Sequence, residues 1–156
     1  MSPEPSHPAP ALPRTWRPLG VRIAGVAFSL MLVVLCAVVW FSWSPEIRGR
    51  FDWFQRGTLV VLGLGFLSLY LSLVRSRVVA TAEGLRVVNG FRTRDFSWPQ
   101  VLAVNLPPGA PWAVLDLADG TTVSALGIQG SDGTRARTAV RELRAVLEAQ
   151  GPAEPR

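Results

Sequence analysis

Two long apolar segments in the first half of the chain constrain its fold more than any other feature. The first runs from Val21 to Trp43 with Arg22 as its one charged residue, and the second runs from Gly57 to Val74 with none. A helix that crosses a hydrocarbon core of ~30 Å needs roughly 20 mostly apolar residues. Both segments reach that length. The short connection from Ser44 to Arg56 therefore predicts a transmembrane helical hairpin.

Arginines flank the two apolar segments unequally, and this inequality predicts an orientation. The flanks outside the hairpin carry Arg14, Arg17, Arg22, Arg75 and Arg77, whereas the connecting loop carries Arg48, Arg50 and Arg56. Cytoplasmic flanks of membrane helices are the ones enriched in basic residues. Five arginines against three predict that the N-terminus and the C-terminus both lie in the cytoplasm.

Tryptophans lie near the ends of the apolar segments, where amphipathic rings are favoured at a membrane interface. Trp40, Trp43 and Trp53 lie near the connecting loop, and Trp16 with Tyr70 is placed to mark the opposite interface. Together with the flanking arginines they form a predicted set of juxtamembrane anchors: Arg14, Arg17, Arg22, Arg75, Trp16, Trp40, Trp43 and Trp53.

A cleaved signal peptide is the alternative interpretation of the first apolar segment. Signal peptides have an apolar stretch of roughly 7–15 residues followed by small residues at the cleavage site. Here the stretch is longer and ends in Trp40-Phe41-Ser42-Trp43, where small residues would be needed. Leu35 before Cys36 also disfavours lipoprotein processing. An uncleaved hairpin is the better interpretation.

Small residues recur at four-residue spacing within the apolar segments. They are Gly25 and Ser29 in the first segment and Ser68, Ser72 and Ser76 in and after the second. Such spacing lets helices approach closely in lipid. We expect packing within the hairpin, with homodimerisation as the alternative.

The rest of the chain divides by composition. Residues 1–13 contain five prolines and no periodic pattern, which predicts a disordered leader. Residues 14–76 form the hairpin, residues 77–150 form a water-soluble domain, and residues 151–156 form a tail. Within 77–150 we predict six short strands: 78–81, 85–88, 91–98, 101–106, 112–117 and 121–126. Turn signals at Glu83-Gly84, Asn89-Gly90 and Asp119-Gly120 predict an antiparallel meander, bent into a sandwich or partial barrel.

One amphipathic helix follows the strands. Its apolar positions recur at helical spacing and share one face: Ala136, Ala139, Val140, Leu143, Val146 and Leu147. Ser131 or Asp132 is placed to cap its N-terminus, and Gly151-Pro152 is placed to end it. A bent sheet has an open end that such a helix can cover. The predicted class is therefore α+β: a transmembrane hairpin, then a bent antiparallel sheet capped by a C-terminal helix.

A family resemblance rests on turn and core positions of this second half. They are Glu83-Gly84-Leu85-Arg86-Val87, Asn89-Gly90-Phe91-Arg92-Thr93-Arg94, Ser97-Trp98, Leu117-Ala118-Asp119-Gly120-Thr121 and Ser131-Asp132-Gly133. On these residues the chain, over about 15–150, resembles bacterial membrane proteins with two membrane helices and a pleckstrin-homology (PH)-like domain, the low molecular weight protein antigen 6 PH-domain family.

The resemblance implies a PH-like fold of about seven strands and a location in the bacterial plasma membrane as a multi-pass protein. It implies no particular biochemical function. Six strands are predicted from the residues, and Ala125 to Gln129 is the candidate for the remaining one.

The chain offers few residues for catalysis. Its one cysteine, Cys36, lies in an apolar segment, and its one histidine, His7, lies in the leader. No disulfide framework, Cys/His metal site or catalytic triad can be assembled from them. We expect no enzyme activity, catalytic residue, cofactor or metal. Residues 75–156 carry ten arginines against eight acidic residues, so the net charge of +5 is weak evidence for nucleic acid, and we expect none.

The remaining candidates are arginines of the soluble domain. Arg92 and Arg94 are two apart on a predicted strand and so share a face, and Arg86 lies on the preceding strand. With Arg77 they are candidate contacts for phosphate or lipid headgroups, since the planar guanidinium bonds phosphate at two points.

Two functional hypotheses follow. The first is a membrane-anchored, non-enzymatic interaction module, an adaptor or scaffold whose groove or sheet edge binds a protein partner at the cytoplasmic face. The second is a module that senses anionic phospholipid through its arginine face. Membrane lipids are partners in both, and fold analogy alone does not choose between them.

Overall fold

The computed structural model describes residues 9–150. The first eight residues of the expected leader, the helix end at Gly151-Pro152 and the tail at 151–156 lie outside the described residues.

The first half of the described chain is a helical hairpin. Helix α1 spans Gly20–Ser42, a short helix α2 spans Pro45–Gly49, and helix α3 spans Trp53–Arg75. The two long helices have 23 residues each, mean hydropathies of 2.6 and 2.1, and no buried residue, so both are long and apolar enough to cross a membrane.

Helix α3 begins four residues before its predicted start at Gly57. Asp52 and Gln55 form a capping box there: the Asp52 carboxylate accepts the Gln55 backbone N–H at 2.8 Å, and the Gln55 side chain accepts the Asp52 backbone N–H at 3.3 Å. This reciprocal pair satisfies two backbone donors that a helix start leaves free. The polar cap therefore extends the helix beyond its apolar stretch.

Within residues 9–150, seven strands form two antiparallel sheets. They are β1 (Arg14–Trp16), β2 (Arg77–Ala80), β3 (Leu85–Asn89), β4 (Arg92–Phe96), β5 (Val101–Asn105), β6 (Trp112–Leu117) and β7 (Thr122–Gln129). The first sheet has the order β1-β2-β3-β4 and the second has the order β5-β6-β7. Helix α4 (Thr134–Gln150) follows. The α+β class, with two apolar helices, open sheets and a C-terminal helix, is confirmed.

The seventh strand is not where we predicted it. Ala125 to Gln129 only lengthens β7, whereas Arg14 to Trp16 forms β1 and pairs with β2 in the register Arg14↔Ala80 and Trp16↔Val78. Three residues are too few to show a strand periodicity. The helical hairpin is therefore an insertion between the first and second strands of one domain, and residues 14–16 belong to the sheet.

Strand β7 joins the two sheets at a close crossing. A Cβ on Gly127 would lie 2.6 Å from the backbone Cα and C of Arg77, so a larger residue meets main chain there. The Asn89 side chain spans the same junction: its amide donates to the Ser124 carbonyl at 2.5 Å and its oxygen accepts the Leu126 N–H at 3.0 Å. The Asn89 side-chain amide thus links β3 to β7, although the two strands belong to different sheets.

Helix α4 packs on the core as its periodicity predicts. Its buried residues are Ala136, Ala139, Val140, Leu143, Ala145 and Val146, and Leu147 packs partly against the same core. The facing core residues come from both sheets and include Val78, Leu85, Leu115 and Ile128. The helix therefore closes the bent sheets on one side.

Candidate functional site

The domain caps the start of the helical hairpin. The Asp132 carboxylate accepts the backbone N–H of Leu19 at 2.9 Å and of Gly20 at 2.7 Å, at the N-terminus of α1. We predicted Ser131 or Asp132 as the cap of α4, whereas the Asp132 carboxylate accepts from the first backbone amides of α1. A Cβ on Gly20 would lie 2.7 Å from the same carboxylate, so the close approach depends on glycine.

Strand β1 is tied to α4 by one carboxylate. Glu142 accepts two hydrogen bonds from the Arg14 guanidinium at 3.1 and 3.2 Å and one from the Trp16 indole N–H at 2.8 Å. Trp16 is 7% exposed and belongs to the core. Its predicted role as an interface anchor is therefore wrong, because its ring packs inside the domain and its N–H is satisfied by Glu142.

The end of α3 is tied to the turn between β3 and β4. The buried Ser76 hydroxyl donates to the Ser72 carbonyl at 3.0 Å and accepts the Gly90 N–H at 3.0 Å. Gly90 has φ +63°, and a Cβ there would lie 2.1 Å from the Ser72 hydroxyl oxygen. Ser72 and Ser76 thus contact this turn, whereas we expected them to line the contact between the two long helices.

The four candidate headgroup arginines fall on two faces of the first sheet. The register pairs Arg92 with Asn89 and Arg94 with Val87, so both arginines point to the face that carries the core residues of β3. They stay exposed because β4 is the outer strand. Arg92 and Arg94 therefore form one basic edge, as their spacing predicted.

Arg86 and Arg77 lie on the opposite face. Arg86 is paired with Asp95, with its Nε 2.5 Å from a carboxylate oxygen. The hydrogen bond, and then the charge of Asp95, raises the pKa of the Arg86 guanidinium above its ordinary value. Arg77 pairs in register with Val88, two residues from Arg86, and so shares that face. The structure does not bring all four arginines together.

The remaining anchor candidates lie on the hairpin and its flanks. Trp40 and Trp43 pack with Phe51, with ring centroids 5.3–6.3 Å apart. Trp53 is 85% exposed beneath the Arg56 guanidinium. Arg17 and Arg75 are exposed, and Arg22 is half-buried. Inside the hairpin, a Cβ on Gly25 would lie 2.2 Å from the Tyr70 ring, so Tyr70 packs on α1 at a glycine.

A groove runs between the outer strand β5 and helix α4. Its volume is about 560 Å³, and its lining includes Trp98, Leu102, Leu147 and Arg144. Leu102 is 63% exposed, which is unusual for an apolar residue of this domain. Arg144 closes one end by donating to the Val104 carbonyl at 2.9 Å. This groove could not be predicted from the sequence, because an outward leucine on a short strand resembles an ordinary core position.

Within residues 9–150, no group of three or more His, Cys, Asp or Glu side chains is placed to hold a metal ion. The polar clusters described above consist of carboxylates and arginines that satisfy each other or cap backbone groups. Their arrangement stabilises the domain and its junction with the helices.

Comparison with known proteins agrees with the PH-like fold. The family profile described as "Bacterial PH domain" matches residues 75–145. Uncharacterized proteins of Mycobacterium tuberculosis and Mycobacterium bovis are each 30% identical over 132 residues, covering 85% of this chain and 79% of theirs. This length extends beyond the matched domain into the helical hairpin. No solved structure matches the chain significantly.

Proposed function

The chain belongs to the bacterial PH domain family, and from that premise we propose that it is a membrane-anchored, non-enzymatic interaction module. The hairpin would hold the PH-like domain at the cytoplasmic face of the membrane, with both termini in the cytoplasm. PH-like domains are generally non-catalytic, and the fold hosts many binding roles.

The observation that carries the proposal is the pairing of β1 with β2 around the hairpin. Antiparallel pairing places residues 14–16 beside residues 77–80, as expected if the two long helices leave and return on one side of a membrane. Each helix is predominantly apolar and has no buried residue, as expected when lipid is its solvent. A cleaved first helix would remove β1 from its sheet, which supports an uncleaved hairpin.

We assign the protein partner to the groove between β5 and α4. Apart from the Val104 carbonyl, which accepts from Arg144, the outer strand β5 offers backbone groups along its free side, and the adjacent apolar groove offers pockets for side chains. Together these suit an extended peptide. The exposed Leu102 is the residue of β5 that such a partner would cover.

Photocrosslinking in native membranes tests this assignment. A photoreactive residue at position 102 should give a protein adduct, whereas the same residue at Thr122, an exposed residue of β7 in the same sheet, should not. Equal yields at both positions, or an adduct to lipid alone at position 102, would contradict the assignment.

The basic edge formed by Arg92 and Arg94 supports a second candidate function, the sensing of anionic lipid. Both side chains are exposed, and their strand begins at the turn that contacts α3. An arginine near an anionic surface gains ~1 kcal/mol. Arg86 is a weaker candidate, because Asp95 already pairs with it.

Hydrogen exchange on the full chain in nanodiscs tests this second function. An isolated 77–156 fragment is unsuitable because it lacks β1. Phosphatidylglycerol added to phosphatidylcholine should slow exchange in β4. The slowing should disappear in the Arg92→Ala/Arg94→Ala double variant and persist in Arg86→Ala. Exchange in β4 that is insensitive to phosphatidylglycerol would exclude lipid sensing by this edge.

A further inference from the structure

The turn between β3 and β4 lies level with the last turn of α3. Gly90 is the first residue of this turn, and its backbone N–H donates to Ser76 directly beyond the helix. Its Cα faces the hydroxyl of Ser72, three residues before the helix ends at Arg75. Three helical residues correspond to about 4.5 Å along the axis. The turn therefore reaches past the helix end and lies beside its final apolar turn.

Phe91 is the second residue of this turn, and it points away from the domain. It is 64% exposed, whereas the core residue Val88 on the adjoining strand is 5% exposed. The Arg75 guanidinium lies 5.7 Å from the centre of the Phe91 ring. An aromatic ring beneath an arginine guanidinium is favoured at the boundary between the hydrocarbon core and the lipid phosphates, where the ring faces the hydrocarbon and the guanidinium faces the phosphates.

The fixed geometry of the turn makes this exposure informative. Ser76 is fully buried and holds Gly90, and a Cβ at position 90 would collide with Ser72, so the turn is clamped to the helix. A large apolar side chain on a clamped turn faces water unless another apolar phase covers it. The exposed side of α3, which the turn contacts at Ser72, is apolar.

We propose that the Gly90-Phe91 turn is a membrane-contact site, in which Phe91 inserts into the headgroup region of the bilayer that surrounds α3. Arg75 and Arg92 flank the ring at the level of the lipid phosphates. The turn thereby fixes the height and tilt of the domain over the membrane. This inference rests on the proposed function, because it requires that the hairpin spans the bilayer.

Depth-dependent quenching tests the inference in the full chain. In a Cys36→Ser background, single cysteines replace Phe91, Leu62 in the middle of α3, or Ala82 in the turn at the far end of β3. Each is labelled with the same environment-sensitive fluorophore and reconstituted in phosphatidylcholine vesicles containing phosphatidylglycerol. Ala82 is exposed and Leu62 is 64% exposed, so all three positions accept a label.

The three positions should give three different results. The label at position 91 should lose most of its fluorescence to nitroxides at the lipid headgroup and little to aqueous iodide. The label at position 62 should respond to nitroxides deep in the acyl chain, and the label at position 82 to iodide alone. If position 62 responds to deep nitroxides but position 91 behaves like position 82, the membrane-contact site is refuted while the anchor stands. If position 62 also responds to iodide alone, the anchor fails and the contact site fails with it.

Discussion

The helical hairpin and the β-domain are both rich in apolar residues, but they use them in opposite ways. No residue of α1 or α3 is buried, whereas the domain has a continuous core drawn from both sheets and α4. Most apolar residues in the hairpin are exposed, and the others are at most half-buried. Apolar residues in the domain alternate or follow one helix face. The proposed membrane location accounts for the difference, since lipid would contact all sides of a helix, whereas water requires one side to be covered.

The largest expected effect comes from replacing one leucine by alanine in each region. Leu115 of β6 is 0% exposed, so Leu115→Ala should lower the free energy of unfolding of the domain by about 2–5 kcal/mol through lost burial and a cavity. Leu62→Ala in α3 removes the same atoms from an exposed position and should change the free energy of unfolding by less than about 0.5 kcal/mol. Urea unfolding of the detergent-solubilised chain, followed by near-UV circular dichroism, measures both. Equal losses would mean that the hairpin has a core of its own.

The next largest effect comes from replacing one glycine by alanine in each region. Gly127→Ala places a Cβ 2.6 Å from the backbone of Arg77 and should destabilise the domain by about 1–3 kcal/mol. Gly63→Ala in α3 has no atom within 4 Å and, as a better helix former, should leave stability unchanged or slightly raised. The same unfolding measurement applies. A neutral Gly127→Ala variant would contradict the close crossing of β7 over β2.

Two glutamate-to-alanine substitutions in α4, one of them a control, test the link between β1 and α4. Glu142→Ala leaves the Trp16 indole N–H without its acceptor and should cost about 1–2 kcal/mol. Hydrogen exchange should show the loss first in β1. Glu148→Ala, an exposed residue of the same helix, serves as the matched control and should leave β1 unchanged. Similar exchange in the two variants would show that Glu142 does not hold β1.

The smallest effect concerns the junction of the two regions. Asp132→Ala removes the carboxylate that caps α1 and should cost about 1 kcal/mol, whereas Asp132→Asn keeps one acceptor oxygen and should recover only part of this loss. Hydrogen exchange should increase at both Leu19 and Gly20 in Asp132→Ala and at one of the two amides in Asp132→Asn. Unchanged exchange at these two amides would mean that the cap comes from elsewhere.

The features that sequence revealed are those that repeat along the chain. The apolar length of α1 and α3, the succession of short runs and turn signals in the sheets and the helical spacing of α4 each extend over several residues, so the two long helices, the six strands and the C-terminal helix predicted from them are present. The ends of the elements differ from the predicted ends where a side chain outside the periodic pattern forms a cap, as Asp52 and Gln55 do at the start of α3. The basic edge followed from the two-residue spacing of Arg92 and Arg94.

The features that sequence missed depend on contacts between distant residues. Asp132 lies 112 positions from the Gly20 amide that it caps, and Glu142 lies 126 positions from Trp16. Nothing in the local pattern distinguishes either carboxylate from a solvated one. The three-residue strand β1 was missed for a similar reason, since only β2, on the other side of the hairpin, gives it a partner. Of these missed contacts, the Asp132 cap joins the hairpin to the domain, and the other two hold β1 within the domain.

The most direct test of this architecture is a disulfide between β1 and β2. Thr15 and Val79 are register partners on either side of the hairpin, at a spacing that allows a disulfide between cysteines. In a Cys36→Ser background, the Thr15→Cys/Val79→Cys chain in carbonate-washed membranes should form an intramolecular disulfide under mild oxidation, whereas Thr15→Cys/Ala82→Cys should not. Failure of the first pair to cross-link in the uncleaved chain, or loss of the chain from the washed membranes, would contradict a membrane hairpin inserted within one PH-like domain.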